Sequence, residues 1–134
     1  MRHLYVENGV GRRVVNAFNL FNEVHGWGAV FQDDIHPAAQ RRQRGDEWWI
    51  EDATRQGYSL VTKDLAIFDT ASELDIVRAA HARVIGFARA QYTAWEMIGG
   101  LAFHWDEIAV QLDQPGPWLL TVYRGPTAPR LTAL

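Results

Sequence analysis

The chain has 134 residues, of which 48% are hydrophobic and 22% charged, with a formal net charge of −3 at pH 7 and no cysteine. This length predicts one domain with a real hydrophobic core. The lack of thiols excludes a disulfide framework and a thiolate metal site, and the net charge gives no global attraction to nucleic acid. No apolar run approaches the roughly 20 residues that span a bilayer, and Glu7 comes too early for a signal peptide. We therefore expect a cytoplasmic protein without a membrane segment.

Strands and helices are predicted to alternate along the chain. Short apolar runs between turn residues predict five strands, over 3–6, 27–31, 58–62, 83–87 and 118–123. Apolar residues at helical spacing predict four helices, over 10–23, 46–57, 70–81 and 93–112. The polar stretch 32–45 is predicted to be an irregular, mobile loop. The domain is predicted to span 1–125, and the Pro-rich tail 126–134 is expected to be disordered.

This alternation predicts an α/β fold, in which helices cover both faces of a mostly parallel five-stranded sheet. The strand order 2-1-3-4-5, common in open sheets of this kind, makes the first and third strands neighbours. Glu7 and Asp64 directly follow these two strands. Because ligands bind outside the carboxyl ends of such strands, at the point where the strand order reverses, we expect both acids to line a crevice.

Four acids form the candidate site: Glu7, Asp46, Asp64 and Glu73. The first and third follow predicted strands, and the other two begin predicted helices beside the same edge of the sheet. Carboxylates that converge on one cleft need a counter-charge to stay ionised together. Oxygen ligands without histidine or cysteine favour Mg²⁺ or Mn²⁺, and such an ion lowers the pKa of a bound water and stabilises charge on a phosphate.

Purely structural roles compete with this interpretation at the helix starts. Asp46 has the sequence position of an N-cap, and the neighbouring Glu47 is an alternative acid for the site. Glu73 fits the first turn of a helix that is capped by Thr70 or by Ser72.

A second group of candidate residues is basic. Arg12 and Arg13 follow a glycine turn at the start of the first predicted helix, and Arg41 and Arg42 belong to the basic run 41–44. Guanidinium groups bind phosphate oxygens through paired hydrogen bonds. We expect these arginines to contact the phosphates of a substrate.

Several motifs together resemble the PIN-like domain proteins, relatives of the VapC-type toxin ribonucleases. They are LYVENGVGRRV at 4–14, DEWWI at 46–50, LVTKD at 60–64 with Ile67, Ser72 and Glu73 after it, and the closing GPWLLTVY at 116–123. The resemblance implies a three-layer α/β/α sandwich and an endoribonuclease that depends on Mg²⁺ or Mn²⁺. By the same resemblance, Glu7, Asp46 and Asp64 would bind the metal, Glu73 would support them, and RNA, a small antitoxin and a second copy would be partners.

Two alternatives remain. The family usually has Asp where this chain has Glu7, and this departure, with the acidic net charge, favours a PIN-like module that binds RNA or a protein without cleavage. A receiver-like phospho-acceptor domain would use Asp64 as the acceptor. It would also need an acid pair after the first strand and a Lys after the fifth, where the chain has Glu7 alone and Tyr123-Arg124.

Overall fold

A computed structural model of the protein describes residues 1–63 and 70–134. Within these residues six strands form one sheet in the order β2-β1-β3-β4-β5-β6. The strands are β1 (Arg2–Val6), β2 (Trp27–Phe31), β3 (Ser59–Thr62), β4 (Arg83–Phe87), β5 (Trp118–Val122) and β6 (Arg130–Thr132). The first five pair in parallel, and β6 is antiparallel to β5. The predicted order of the five parallel strands is confirmed.

Eight helices connect the strands within the described residues. They are α1 (Arg12–Leu20), α2 (Asn22–His25), α3 (Gln32–Ile35), α4 (Ala38–Arg44), α5 (Asp46–Arg55), α6 (Ala71–Ala80), α7 (Ala94–Phe103) and α8 (Trp105–Leu112). None of these helices is long and apolar enough to cross a membrane.

The sheet separates two hydrophobic cores, one on each face. Side chains alternate along a strand, so Leu4 and Val6 of β1 enter one core and Tyr5 enters the other. The first core contains residues of α1, α7 and α8, and the second contains residues of α5 and α6. The fold is therefore the expected three-layer α/β/α sandwich, with the central strands buried on both sides.

The stretch 32–45 is not the irregular loop that the sequence predicts. It contains α3 and α4, and we call residues 32–44 the connecting arm because they join β2 to α5. Gln32 and His36 are each only 2% exposed. The contacts of the arm with the rest of the protein are largely polar, so its helices lack the apolar spacing by which helices are predicted from sequence.

Three further boundaries differ from the prediction. The helix expected over 93–112 is broken at His104, which is buried and whose Nε2 lies 2.7 Å from the carbonyl oxygen of Gly125. The helix expected over 10–23 is interrupted at Phe21, between α1 and α2. The tail that was expected to be disordered contains β6, which raises the strand count from five to six.

Candidate functional site

The strand order reverses between β1 and β3, so the crevice lies at the carboxyl ends of these two strands. Val6 pairs with Val61, and the backbone N–H of Glu7 donates to the carbonyl of Val61 at 3.0 Å. The hydroxyl of Thr62 donates to Glu7 Oε2 at 2.9 Å. The structure thus places the half-buried Glu7 carboxylate against the end of β3, as the sequence predicts.

The turn after β1 packs closely on the same carboxylate. A Cβ atom at Gly9 would lie 2.9 Å from Glu7 Oε1, closer than side chains normally approach. Any larger residue at Gly9 would therefore displace the Glu7 side chain. The second predicted strand-end acid, Asp64, lies outside the described residues, which end on this side at Lys63.

Asp46 begins α5 and is exposed, but it is not the N-cap that its sequence position suggests. Gly45 occupies the N-cap position without a side-chain cap, and Asp46 is the first helical residue. One of its oxygens, Oδ1, accepts a hydrogen bond from Trp49 Nε1 at 2.9 Å. The alternative acid, Glu47, is also exposed in the first turn.

Glu73 lies in the first turn of α6 and takes part in the cap of that helix. Thr70, not Ser72, is the N-cap, and its hydroxyl accepts from the backbone N–H of Glu73. The Thr70 hydroxyl also lies 3.0 Å from Glu73 Oε2, to which it donates. These contacts give Glu73 a structural role, whatever its part in a site.

Two of the four predicted phosphate-binding arginines are held by acids of the connecting arm. Arg12 forms a bidentate pair with Asp34, with N–O distances of 2.7 and 2.9 Å. This pairing lowers the pKa of Asp34 and raises that of Arg12, with the hydrogen bonds as the main cause in each. Arg41 pairs with Asp33 at 2.7 Å and also donates to the carbonyl of His36.

The other two predicted arginines, Arg13 and Arg42, are exposed and form no ion pair with any residue in the described ranges. Arg44, also exposed, lies over the ring of Trp48, 4.9 Å from its centroid. Among the described residues, Arg13, Arg42 and Arg44 are therefore cations that a ligand can reach without breaking a salt bridge.

A further acid begins a helix beside the sheet, and the sequence analysis did not include it in the site. Glu96, near the start of α7, forms a capping box with Thr93 and a salt bridge with Arg124. The backbone hydrogen bond from Thr93 and the contact with Arg124 lower the pKa of Glu96. The capping pattern Thr93-x-x-Glu96 was the available sequence signal, and it indicates a structural role.

A divalent ion such as Mg²⁺ or Mn²⁺ needs several oxygen ligands at one point. Among residues 1–63 and 70–134, no three His, Asp or Glu side chains form a group that could hold a metal ion. Glu7 and Asp46 supply carboxylate oxygens, which suit Mg²⁺ or Mn²⁺, but the described acids do not complete a site by themselves.

A chain of buried polar side chains lies behind Glu7, and sequence reasoning missed it. Tyr5, directly below Glu7 on the same face of β1, has its hydroxyl 2.8 Å from His36 Nδ1, and His36 Nε2 lies 2.7 Å from Asp52 Oδ2. A tyrosine inside an apolar strand was the available signal, since a buried hydroxyl needs a hydrogen-bond partner.

The comparisons with known proteins agree with this architecture. A family model described as "PIN like domain" matches residues 3–89, which include all four predicted acids and the strands from β1 to β4. No curated protein and no solved structure matches the chain. The match covers well over half of the chain and corresponds to a nuclease-type fold. The chain therefore belongs to the PIN-like domain family.

Proposed function

We propose that the protein is a Mg²⁺- or Mn²⁺-dependent endoribonuclease that hydrolyses RNA phosphodiester bonds. The observation that carries this proposal is the Glu7 carboxylate, hydrogen-bonded to Thr62 where the strand order reverses, in a chain of nuclease-type fold. Glu7, Asp46 and Asp64 would hold the ion, and Glu73 would support them. When bound, the ion supplies an activated water and stabilises charge on the phosphate.

The other residues of the site are assigned by their contacts. Thr62 fixes one oxygen of Glu7, so the other oxygen faces the packed turn at Gly9. Arg13, Arg42 and Arg44 would neutralise phosphates of the substrate, since they are not engaged in salt bridges with described residues. Arg12 and Arg41 would instead hold the connecting arm through Asp34 and Asp33.

We further propose that the ribonuclease is the toxin of a toxin–antitoxin pair. This role rests on the resemblance to the VapC-type toxins, and its partner would be a small antitoxin protein. Expression of the wild-type chain without the antitoxin would then arrest growth, whereas a Glu7→Gln variant would not.

Thermal unfolding tests the metal site directly. An ion that binds only the folded state adds about 2.7 kcal/mol of stability at a hundred times its Kd, so Mn²⁺ or Mg²⁺ should raise the Tm of the wild type above its value in EDTA. Glu7→Gln and Asp64→Asn should abolish most of this rise, because each removes one negative charge from the site. Glu7→Gln keeps an oxygen that accepts from Thr62.

Asp106→Asn is the matched control, because Asp106 lies in the first turn of α8, outside the proposed site. It should leave the metal-dependent rise unchanged, and all variants should keep the wild-type Tm in EDTA within a few degrees. A wild type whose Tm is the same in EDTA, Mg²⁺ and Mn²⁺ would exclude the metal-dependent ribonuclease.

A specific surface feature supports a protein partner, whether or not the chain cleaves RNA. A groove of about 240 Å³ opens between α1–α2 and α7–α8, with apolar walls and His25 at its edge. Phe21 and Val24 border this groove and are 61% and 83% exposed. Exposed apolar patches mark contact sites, and in a two-fold dimer the same patch of both subunits forms the interface. We propose a second copy of the chain as the occupant.

Sedimentation velocity tests this dimer. The wild type should sediment as a concentration-dependent dimer, and Val24→Lys should shift it to a monomer because a charge would enter the apolar contact. Val110→Lys is the matched control: Val110 is 67% exposed on α8 but does not line the groove. A wild type that stays monomeric at all concentrations would rule out this partner.

A further inference from the structure

His36 is a buried polar hub between the central strand β1 and helix α5. Its side chain is 3% exposed, and both of its ring nitrogens are engaged. Nδ1 lies 2.8 Å from the hydroxyl of Tyr5, and Nε2 lies 2.7 Å from Asp52 Oδ2. Trp48 covers the imidazole edge-on, with ring centroids 4.9 Å apart. His36 thus connects the arm to β1 through Tyr5 and to α5 through Asp52.

A second set of contacts runs from His36 towards the proposed site. The backbone N–H of His36 donates to the carbonyl of Gln32 at 2.7 Å, and Gln32 is 2% exposed. Gln32 Oε1 in turn accepts from the backbone N–H of Asn8 at 3.0 Å. Asn8 belongs to the turn that packs on the Glu7 carboxylate. A continuous path of hydrogen bonds therefore joins this turn to Asp52.

The direction of these hydrogen bonds follows from the donors at each end. Asn8 donates its backbone N–H, so Gln32 presents Oε1 to it. The hydrogen bond with His36 lowers the pKa of Asp52, so the Asp52 carboxylate accepts from His36 Nε2–H. His36 Nδ1 then accepts from the Tyr5 hydroxyl.

The charged and titratable groups around His36 lie on the elements that pack against it. Asp52 of α5 faces Nε2 and is itself contacted by Arg55. Arg41 of α4 donates to the His36 carbonyl and pairs with Asp33 of α3. Tyr5 of β1 completes the set.

We propose that His36 is a positioning residue of the candidate site. Through Asp52 it holds α5, which begins at Asp46, and through Gln32 it holds the turn that follows Glu7. This inference rests on the proposed function only for the identity of the acids that are positioned.

NMR of the full chain without metal tests the path. The amide resonance of Asn8 should move in His36→Gln, because residue 36 and Gln32 share one helical turn and Gln32 accepts from Asn8. An Asn8 resonance that keeps its wild-type position in His36→Gln would overturn the proposal.

Hydrogen exchange and metal affinity test the positioning itself. In His36→Gln, the Asn8 amide should exchange at least about tenfold faster and the Kd for Mn²⁺ should rise several-fold. The matched control is His104→Gln, which alters another buried histidine, one that contacts Gly125 and not the site. Unchanged Asn8 exchange in His36→Gln, or an equal effect in His104→Gln, would overturn the positioning role. A wild type that binds no Mn²⁺ would instead refute the proposed function, and the NMR and exchange results would still decide on His36.

Discussion

Asp52 shows how a single carboxylate stabilises the fold. It accepts hydrogen bonds from the side chains of His36, Arg55 and Gln56. The bond from His36 is the largest cause of the lowered pKa of Asp52, against the opposing effect of burial. A carboxyl group whose pKa is lower in the folded state stabilises that state above its ordinary pKa, and this contribution is lost as the pH falls through the folded value.

Asp52→Asn should therefore reduce the free energy of unfolding by about 1–3 kcal/mol at neutral pH, because the charged acceptor of three donors is lost. The difference from the wild type should shrink as the pH falls through the lowered pKa of Asp52, where the wild-type carboxyl itself takes up a proton. Urea unfolding at neutral and at acid pH measures this.

Asp75→Asn is the control for that comparison. Asp75 is 72% exposed and pairs with Arg78 across one helical turn, so its loss should cost less than about 0.5 kcal/mol. An Asp52→Asn deficit that stays constant down to acid pH would contradict the assigned hydrogen bonds.

Single residues also show how far the sequence predicts the site. The position of Glu7 could be predicted, because an acid that directly follows an apolar strand lies at the carboxyl edge of a parallel sheet. The contacts of His36 could not be predicted, because its partners Tyr5 and Asp52 lie 31 and 16 positions away in the chain. A polar residue in a polar segment carries no signal of burial until its distant partners are known.

At the level of elements, the strands were predictable and the connections less so. The five parallel strands are apolar runs, and burial on both faces gives them that pattern. The connecting arm folds through ion pairs such as Arg12–Asp34, which leave no periodic trace. Strand β6 is largely exposed and joins the sheet through backbone pairing with β5. Its sequence therefore lacks the apolar pattern that predicts a strand.

Helix α7 contains a glycine pair whose members have opposite roles. A Cβ atom at Gly100 would lie 3.0 Å from the carbonyl oxygen of Tyr123, whereas one at Gly99 would meet nothing within 4 Å. Gly99→Ala should stabilise the protein by about 0.5–1 kcal/mol through helix propensity. Gly100→Ala should destabilise it by about 1–3 kcal/mol, because β5 and α7 would be forced apart.

The two alanine variants serve as controls for each other, since they add the same methyl group to adjacent helical positions. Chemical unfolding of both measures the difference. Equal effects at the two positions would show that α7 does not approach the end of β5 as closely as described.

At the scale of the whole molecule, the local distribution of charge should affect RNA binding more than the net charge does. The net charge is −3, yet Arg13, Arg42 and Arg44 remain exposed outside salt bridges with described residues. Each phosphate neutralised on single-stranded nucleic acid contributes a slope of about −0.7 to log K against log salt concentration, so three contacts predict a slope of about −2. If Arg12 and Arg41 also contacted phosphates, the slope would become steeper, about −3.5.

Fluorescence anisotropy of a labelled RNA oligonucleotide in EDTA measures this slope without cleavage. Arg13→Ala should reduce its magnitude by about 0.7. Arg2→Ala makes the same change in net charge at the opposite edge of the sheet, where β1 begins, and should leave the slope unchanged. Equal effects of the two variants would mean that the RNA responds to net charge and not to a local patch.

The first hydrophobic core extends beyond the range that carries the family match. That range ends at residue 89, whereas α7, α8 and β5 supply Met97, Leu101, Ile108, Leu112, Leu120 and Val122 to the core. A fragment trimmed to the matched residues would leave one face of β3 and β4 open to water, with Val61 and Ile85 uncovered. The family match and the folding unit therefore have different limits. Residues 3–89 identify the family, but we expect that they do not fold without the elements that follow them.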